Sequence, residues 1–314
     1  MMVPRILGLH HVTATVDDAQ TDLDFCLDLL GLRLVKKTVN FDNHHVYHFY
    51  YGNTVGQPGT IWTTFPYHGH GVRAGTKGAG QVVTTVFSVP VGSLEFWRTR
   101  FRKASVAFSD IEAHFGEPAV GFNDPSGLRF EFVANDSDTR AGWTGKIAAN
   151  AAIRGLHSVA MEVRQAGPSI EFLTKVLGYA VVAEAGNRTR VADFGNVPGH
   201  LIDVIEVPDA KPAVNGVGTV HHVAMAIGSD EEQVRLREDL LSAGVRVTDI
   251  RDRSYFRSIY FREPGGVLFE VATVQPGFMV DEPVASLGRA LKLPEWEEPH
   301  RASIEANLVP VTYD

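Results

Sequence analysis

The 314-residue sequence contains 13 histidines but only one cysteine, Cys26. One thiol cannot form an internal disulfide or a thiolate-rich metal site, so any bound metal must be held by histidine and carboxylate side chains. Cys26 lies in an apolar run with helical spacing, between Leu23 and Leu30, which is typical of a core position. The sequence therefore gives Cys26 no chemical role.

A surplus of positive charge and a long apolar segment are also missing. The 29 Lys and Arg residues against 37 Asp and Glu residues give a net charge of -8, which argues against nucleic-acid or anionic-membrane binding. No stretch approaches the ~18 apolar residues that span a bilayer, and the first ten residues contain no secretory apolar region. We therefore expect a folded, cytoplasmic protein without nucleic-acid or membrane partners.

Four short β-branched runs recur along the chain, each followed by helical spacing and further strand-like runs. They are Gly8–Val16, Gln81–Val89, Gly155–Val163 and Thr219–Ile227. The pattern predicts an α+β fold of four βαβββ modules, over residues 6–66, 80–134, 153–207 and 218–274. We expect an N-terminal domain over 1–145 with modules 1 and 2, and a C-terminal domain over 150–275 with modules 3 and 4. A tail over 276–314 follows, beginning with a helix at 284–291.

Two positions recur in every module, one in its first strand and one in its last. In module order the first holds His11, Val83, Ser158 and His222, and the second holds Thr63, Glu131, Asp203 and Glu270. Only modules 1 and 4 offer a histidine, and module 4 also offers a carboxylate. If these modules face each other, His11, His222 and Glu270 form a set of two imidazoles and one carboxylate. That set is typical of a non-haem Fe(II) site and, less specifically, of Mn(II) or Zn(II).

The remaining groups at these positions have other expected roles. Because successive side chains of a strand point to opposite faces, His10 and His221 act as neighbours of the ligands or as core groups. Glu131 and Asp203 have no histidine nearby, so we interpret them as hydrogen-bonded structural groups, with a weak second metal site as the alternative. A pocket-wall or core role is expected for the histidines of one aromatic strand: His44, His45 and His48.

Several motifs carry a resemblance to a known family. They are Gly8-Leu-His-His-Val12, Val220-His221-His222, Pro264-Gly-Gly-Val267 with Phe269-Glu270, and Ser286-Leu-Gly288. On these motifs the sequence resembles the vicinal oxygen chelate superfamily of glyoxalases, bleomycin-resistance proteins and extradiol dioxygenases, and within it the hydroquinone ring-cleaving dioxygenases. The resemblance implies two barrel-like units, with modules 1 and 4 sharing a metal site. It implies Fe(II) at His11, His222 and Glu270, and a further set of catalytic residues: Tyr260, Arg253, His10, His221 and Thr13.

The function that this resemblance implies is an Fe(II)-dependent, extradiol-type dioxygenase in aromatic catabolism. It would open a dihydroxylated aromatic ring of the hydroquinone type with O2. Two alternatives stay open: a glyoxalase-like isomerase or lyase with another divalent metal, and a metal-free protein that sequesters an aromatic compound. The sequence does not distinguish hydroquinone from catechol, and strand edges make a homo-oligomer an open expectation.

Overall fold

The computed structural model describes residues 6–313, with all side chains except those at 112 and 113, and each module has the predicted βαβββ order. The elements of module 1 are β1 Ile6–Val16, α1 Ala19–Leu23, β2 Arg33–Asn40, β3 Asn43–Gly52 and β4 Ile61–Pro66. Those of module 2 are β5 Gln81–Val89, α2 Leu94–Lys103, β6 Phe108–His114, β7 Glu117–Asn123 and β8 Arg129–Ala134. Those of module 3 are β9 Gly155–Val163, α3 Ala166–Lys175, β10 Ala180–Ala185, β11 Arg188–Ala192 and β12 Leu201–Glu206. Those of module 4 are β13 Thr219–Ile227, α4 Asp230–Ser242, β14 Arg251–Asp252, β15 Arg257–Arg262 and β16 Leu268–Thr273.

The strands form two eight-stranded sheets. The order of the first is β14-β15-β16-β13-β1-β4-β3-β2, and that of the second is β10-β11-β12-β9-β5-β8-β7-β6. Modules 1 and 4 therefore share one sheet and modules 2 and 3 the other, which confirms the predicted pairing. The domain boundaries near residues 145 and 150 stay predictions.

Pairing inside a module differs from pairing between modules. The first and last strands of each module are parallel neighbours, as in β1 with β4 and β13 with β16. A parallel pair needs a long crossover connection, and the helix of each module supplies part of it. Between modules, the first strands pair antiparallel: β1 with β13, and β5 with β9.

Local sequence signals set the helix ends. Asp18 and Ser229 precede α1 and α4, and their side chains accept backbone N–H groups of the first turn. A π-helical turn over Asp24–Leu29 continues α1. Gly31, Gly178 and Gly244 follow helical segments with φ values of +67°, +79° and +79°, the left-handed conformation that ends a helix. Among the described residues α4 is the longest helix, at 13 residues, and none is able to span a bilayer.

Aromatic and aliphatic side chains of the helices form a continuous core with the sheets. Trp97 and Phe101 of α2 and Leu236 and Leu240 of α4 are buried in it. Each such side chain contributes roughly 1.5–3 kcal/mol when fully buried. The helices thus hold the sheets from one side, and the opposite face of the first sheet is free to carry polar groups.

The tail follows the edge of the first sheet. The predicted helix over 284–291 is wrong: a single 3-10 turn covers Val284–Ser286, and the α-helix α5 lies at Arg301–Asn307. Gly288 has φ +79°, and a Cβ there would lie 2.2 Å from the carbonyl oxygen of Leu34, so the chain must leave the helical path. The tail is fixed to β2 by Lys36, whose buried ammonium pairs with Asp281 and Glu282.

Candidate metal centre and its pocket

Backbone register brings His11, His222 and Glu270 together on the first sheet. His11 of β1 lies opposite Ala224 of β13, and Ala224 lies opposite Glu270 of β16. His222 stands two residues before Ala224, so its side chain leaves the same face of the strand. Because Ala224 carries only a methyl group, there is room above it for three longer side chains to converge.

Three ligand atoms of these residues point at one another. Oε2 of Glu270 lies 2.8 Å from Nε2 of His222 and 3.3 Å from Nε2 of His11, and the two Nε2 atoms are 3.3 Å apart. All three residues are buried. Among residues 6–313 they are the group of histidine, cysteine and carboxylate side chains close enough to hold one metal ion.

The donor set fits a divalent metal ion. Oε2 of Glu270 is buried and has no hydrogen-bond partner among the described residues, although both imidazoles are close to it. Two ligand atoms bound at ~2.1 Å to one ion lie roughly 3.0–3.4 Å apart for octahedral or tetrahedral angles. The three observed separations match or lie near that range, so the atoms are arranged around a common centre.

Each candidate ligand histidine is oriented by the histidine before it. Nδ1 of His11 is 2.8 Å from Nδ1 of His10, and Nδ1 of His222 is 2.7 Å from Nδ1 of His221. With Nδ1–H of each ligand donating to its neighbour, the Nε2 lone pair is left for a metal.

The protonation states suit metal binding. Burial, and then the adjacent ligand histidine, lowers the pKa of both His10 and His221 to about 3, so these neighbours are neutral acceptors at pH 7. Burial also lowers the pKa of His222. Burial alone would raise the pKa of Glu270, but His11 and His222 hold it well below its ordinary value. The hydroxyl of Ser258 donates to its other oxygen, Oε1.

A second group of predicted residues lies beside the ligands on β15 and the loop before it. Tyr260 is opposite Glu270 in the register of β15 and β16. Arg253 Nε donates to the Tyr260 hydroxyl at 3.1 Å, and its Nη2 pairs with Asp42 at 3.0 Å. Burial, and then the charge of Glu270, raises the pKa of Tyr260, while Arg253 opposes this. The phenol therefore stays protonated at neutral pH.

Thr13 belongs to a hydrogen-bonded chain on the other side of the ligands. Thr13 is paired with His222 of the neighbouring strand β13 and with Thr63 of β4, the neighbouring strand on the other side. The Thr63 hydroxyl donates to Thr13 Oγ1 at 2.9 Å, and Nε2 of His48 lies 2.9 Å from Thr63 Oγ1. The structure thus gathers the predicted site residues around His11, His222 and Glu270.

The three converging side chains, together with His48, His221, Arg253 and Tyr260, line a cavity of about 230 Å³. Its aromatic wall includes Tyr50, Phe65 and Phe256, and Phe41 and Asp42 lie at the hairpin turn between β2 and β3. The volume is below the roughly 300–1,000 Å³ of pockets for drug-sized ligands, so the cavity suits a single-ring compound. Sequence reasoning missed Asp42, which no motif marks, and Ser258, which alternation from Tyr260 would have placed on the same face.

The second sheet has the same register, but its described side chains form no comparable ligand set. Thr84 lies opposite Ala160, which lies opposite Asp203, just as His11, Ala224 and Glu270 are aligned in the first sheet. Thr84 is therefore the counterpart of His11, and the assignment of Val83 is wrong by one residue. A shift of one residue places the side chain on the opposite face.

The carboxylates of the second sheet are paired with arginine side chains. Arg190 stands opposite Asp203, where Tyr260 stands opposite Glu270, and its Nε and Nη2 donate to Asp203 at 2.7 and 3.1 Å. Arg129 pairs with Glu131 at 3.1 Å. The interpretation of Glu131 and Asp203 as hydrogen-bonded structural groups is confirmed, because arginine supplies the positive charge there.

Comparison with known proteins agrees with this architecture. The family model described as the Glyoxalase/Bleomycin resistance protein/Dioxygenase superfamily matches residues 8–132 and 155–271. The chain belongs to this superfamily. The resemblance seen in the sequence is thereby confirmed at the level of the family and its fold.

Individual members of the superfamily match this chain nearly end to end. It is 45% identical over 298 residues to "Putative ring-cleaving dioxygenase MhqE" of Bacillus subtilis, covering 95% of this chain and 96% of that one. It is 37% identical over 304 residues to "Chlorohydroquinone/hydroquinone 1,2-dioxygenase" of Sphingobium indicum, covering 93% of each. A crystal structure of a "putative dioxygenase" from Bacillus subtilis has a TM-score of 0.93 and 41% identity, covering 98% of each chain.

Proposed function

We propose that the protein is an Fe(II)-dependent, extradiol-type dioxygenase that opens a dihydroxylated aromatic ring of the hydroquinone type. The observation that carries this proposal is the convergence of His11, His222 and Glu270 beside a small aromatic cavity. Two imidazoles and one carboxylate leave adjacent coordination positions open, which suits a metal that must bind both an aromatic diol and O2. The similarity to ring-cleaving dioxygenases supports the same reaction class.

The metal ligands would be His11, His222 and Glu270. When Fe(II) is bound, it supplies the activation of O2 and a binding site for a deprotonated ring oxygen. His10 and His221 keep the two imidazoles in the tautomer that ligates. Ser258 holds Glu270 by its second oxygen, so the carboxylate is fixed in orientation.

The other residues of the cavity position and polarise the substrate. Tyr260 stays protonated, so it donates a hydrogen bond to oxygen that gains negative charge during the reaction. Arg253 is a permanent cation beside it and favours the same charge. Tyr50, Phe65 and Phe256 pack around the ring and exclude water, which strengthens these interactions.

The alternatives explain the site less well. A glyoxalase-like site resembles a set with two carboxylates, but the last strand of module 1 carries Thr63, whose hydroxyl donates to Thr13. In a metal-free binding protein, the buried Oε2 of Glu270 would have neither a metal ion nor a hydrogen bond. The dioxygenase accounts for both features.

Iron content and oxygen uptake test the proposal together. Protein purified without oxygen and loaded with Fe(II) is expected to bind one iron and to consume O2 with hydroquinones, giving a ring-opened product that contains both oxygen atoms. Catechols serve as the comparison substrates. Iron-loaded protein that consumes no O2 with any dihydroxybenzene would contradict the dioxygenase, and binding of Zn(II) alone with isomerase activity would favour the glyoxalase alternative.

A further inference from the structure

His48 on β3 is a buried imidazole in the wall of the cavity that the reaction outlined above does not use. It is 9% exposed, and its ring packs between those of Tyr50 and Phe65, with centroids 3.9 and 4.3 Å away. Such packing fixes the plane of the ring. Nε2 of the ring is directed toward Thr63, and the residue lines the cavity.

The hydrogen-bonded chain from β1 sets the tautomer of His48. The Thr63 hydroxyl donates its hydrogen to Thr13, so Thr63 Oγ1 accepts a hydrogen bond from His48 Nε2–H at 2.9 Å. A neutral imidazole with its proton on Nε2 has a bare lone pair on Nδ1. Within the described residues Nδ1 has no protein partner, and it is not sealed from the cavity.

Most other polar groups of the cavity donate or are already hydrogen-bonded, and the hydroxyl of Tyr50 can both donate and accept. Arg253 only donates, and Tyr260 is an O–H whose oxygen already accepts from Arg253. Asp42 pairs with Arg251 and Arg253. The oxygen of the Asn40 amide accepts the backbone N–H of Asp42. Nδ1 of His48 is thus a neutral group that can only accept, in a pocket wall otherwise rich in donors.

An aromatic diol presents a matching donor. When one ring oxygen faces the three metal ligands, the hydroxyl at the other end of the ring keeps its proton and donates a hydrogen bond. β3 is two strands from β1, roughly 10 Å along the sheet, so His48 serves the end of the ring away from the ligands. A catechol places its second hydroxyl next to the first, whereas a hydroquinone places it across the ring.

We infer that His48 is a specificity-determining residue: its Nδ1 accepts the hydrogen bond of the distal hydroxyl of a para-dihydroxybenzene. This inference rests on the proposed function for the orientation of the ring. It assigns the choice between hydroquinone and other phenols to one acceptor on β3.

Anaerobic binding to Mn(II)-loaded protein tests the inference without catalysis. The ligands are hydroquinone and 4-fluorophenol, which has similar size but no distal donor. Wild-type protein is expected to prefer hydroquinone by about 3- to 10-fold, the contribution of one neutral hydrogen bond. His48→Gln, which keeps a donor for Thr63 but lacks the Nδ1 acceptor, is expected to lose that preference.

Matched variants separate the acceptor from general packing. His48→Asn places a carbonyl oxygen near the position of Nδ1 and should retain part of the preference, and His48→Phe should lose it while filling the space. His45→Gln, on an exposed position of the same strand, should leave it unchanged. Equal preference in wild type and in both His48→Gln and His48→Phe overturns the inference, as does the absence of any preference for hydroquinone in wild type.

The outcome for His48 is distinguishable from that for the proposed function. A preference that depends on His48, in protein that consumes no O2 with any diol, supports the binding role and contradicts the dioxygenase. Ring cleavage by wild type, together with an unchanged preference in the variants, supports the dioxygenase and contradicts the binding role of His48. In active protein, His48→Gln should raise KM for hydroquinone with a smaller effect on kcat.

Discussion

Arg253 and Tyr260 share one hydrogen bond that leaves the phenol a donor. The guanidinium Nε donates to the tyrosine oxygen at 3.1 Å, and its carbon lies 5.3 Å from the centre of the same ring. Arg253 thereby uses a lone pair of the hydroxyl, while burial and Glu270 keep the pKa of Tyr260 raised. The remaining hydrogen is directed by this pairing toward a partner other than Arg253.

Removing that hydrogen should slow turnover without releasing the metal. For Tyr260→Phe we expect kcat to fall by about 10²–10³, the usual effect of removing one donor to developing charge. Steady-state oxygen uptake and metal analysis measure the two quantities. Tyr67→Phe, which removes a hydroxyl bonded to Asn40 at the cavity, is the control. Unchanged kcat in Tyr260→Phe would exclude this role.

Metal retention should depend on Glu270. Glu270→Gln keeps the size of the side chain but removes the anionic ligand, so bound iron after dialysis should fall below about one-tenth of the wild-type content. Glu131→Gln is the matched control, since Glu131 lies on the last strand of module 2 and pairs with Arg129. Stoichiometric iron in Glu270→Gln would show that the ligand assignment is incorrect.

The histidine that precedes a ligand should tune metal affinity. His221→Phe removes the acceptor for Nδ1–H of His222, and we expect the affinity for Fe(II) or Mn(II) to fall by about 10- to 100-fold. His221→Asn offers an oxygen near the position of Nδ1 and should recover part of the loss. Metal titration of the two variants checks this, and equal affinities would assign His221 to packing alone.

A buried carboxyl outside the site should make stability depend on pH. Asp22 accepts hydrogen bonds from Tyr51 and Thr64, and burial raises its pKa from 3.8 to about 6. The folded state therefore binds this proton more tightly than the unfolded chain. Its contribution to stability is largest below pH 4 and decreases as pH rises from about 4 to 6.

The Asp22→Asn variant should not show this decrease in stability as pH rises. Relative to wild type, the free energy of unfolding of the variant should increase between pH 4 and pH 7 by on the order of 2–3 kcal/mol. Urea denaturation of metal-free protein at the two pH values measures the change. Asp24→Asn, at an exposed position two residues later, is the control. A constant difference across the two pH values would contradict the raised pKa.

The sequence was sufficient to predict the modules and the convergence of His11, His222 and Glu270, because both depend on repetition and alternation. His11, His222 and Glu270 differ from their repeat counterparts, so the comparison of modules isolates them. Arg190 could not be predicted as the partner of Asp203, because the contact depends on the register of β11 with β12. The misassigned Val83 has the same origin: repeat alignment tolerates a slip of one residue, and a sheet does not.

The sequence could not predict the role of His48 or the path of the tail, and the reason differs between the two. His48 lies in a run of histidines and aromatic residues where nearly every position is apolar enough for a core, so the pattern does not reveal its face. Only the contact with Thr63 identifies it. The 284–291 segment has helical spacing, but the close approach of Gly288 to Leu34 overrides that local preference.

The pairing of β1 with β13 makes the order of synthesis matter. β1 ends at residue 16, and its neighbour begins at residue 219. At ribosomal rates of about 5–20 residues per second, the edge of β1 waits roughly 10–40 s for its partner. During that time β5, which is also the first strand of a module, is available to pair with the open edge of β1. A circular permutant that begins near residue 150 would shorten this wait and lengthen the one between β9 and β5 instead, so its yield of active protein would report which of the two pairings limits folding.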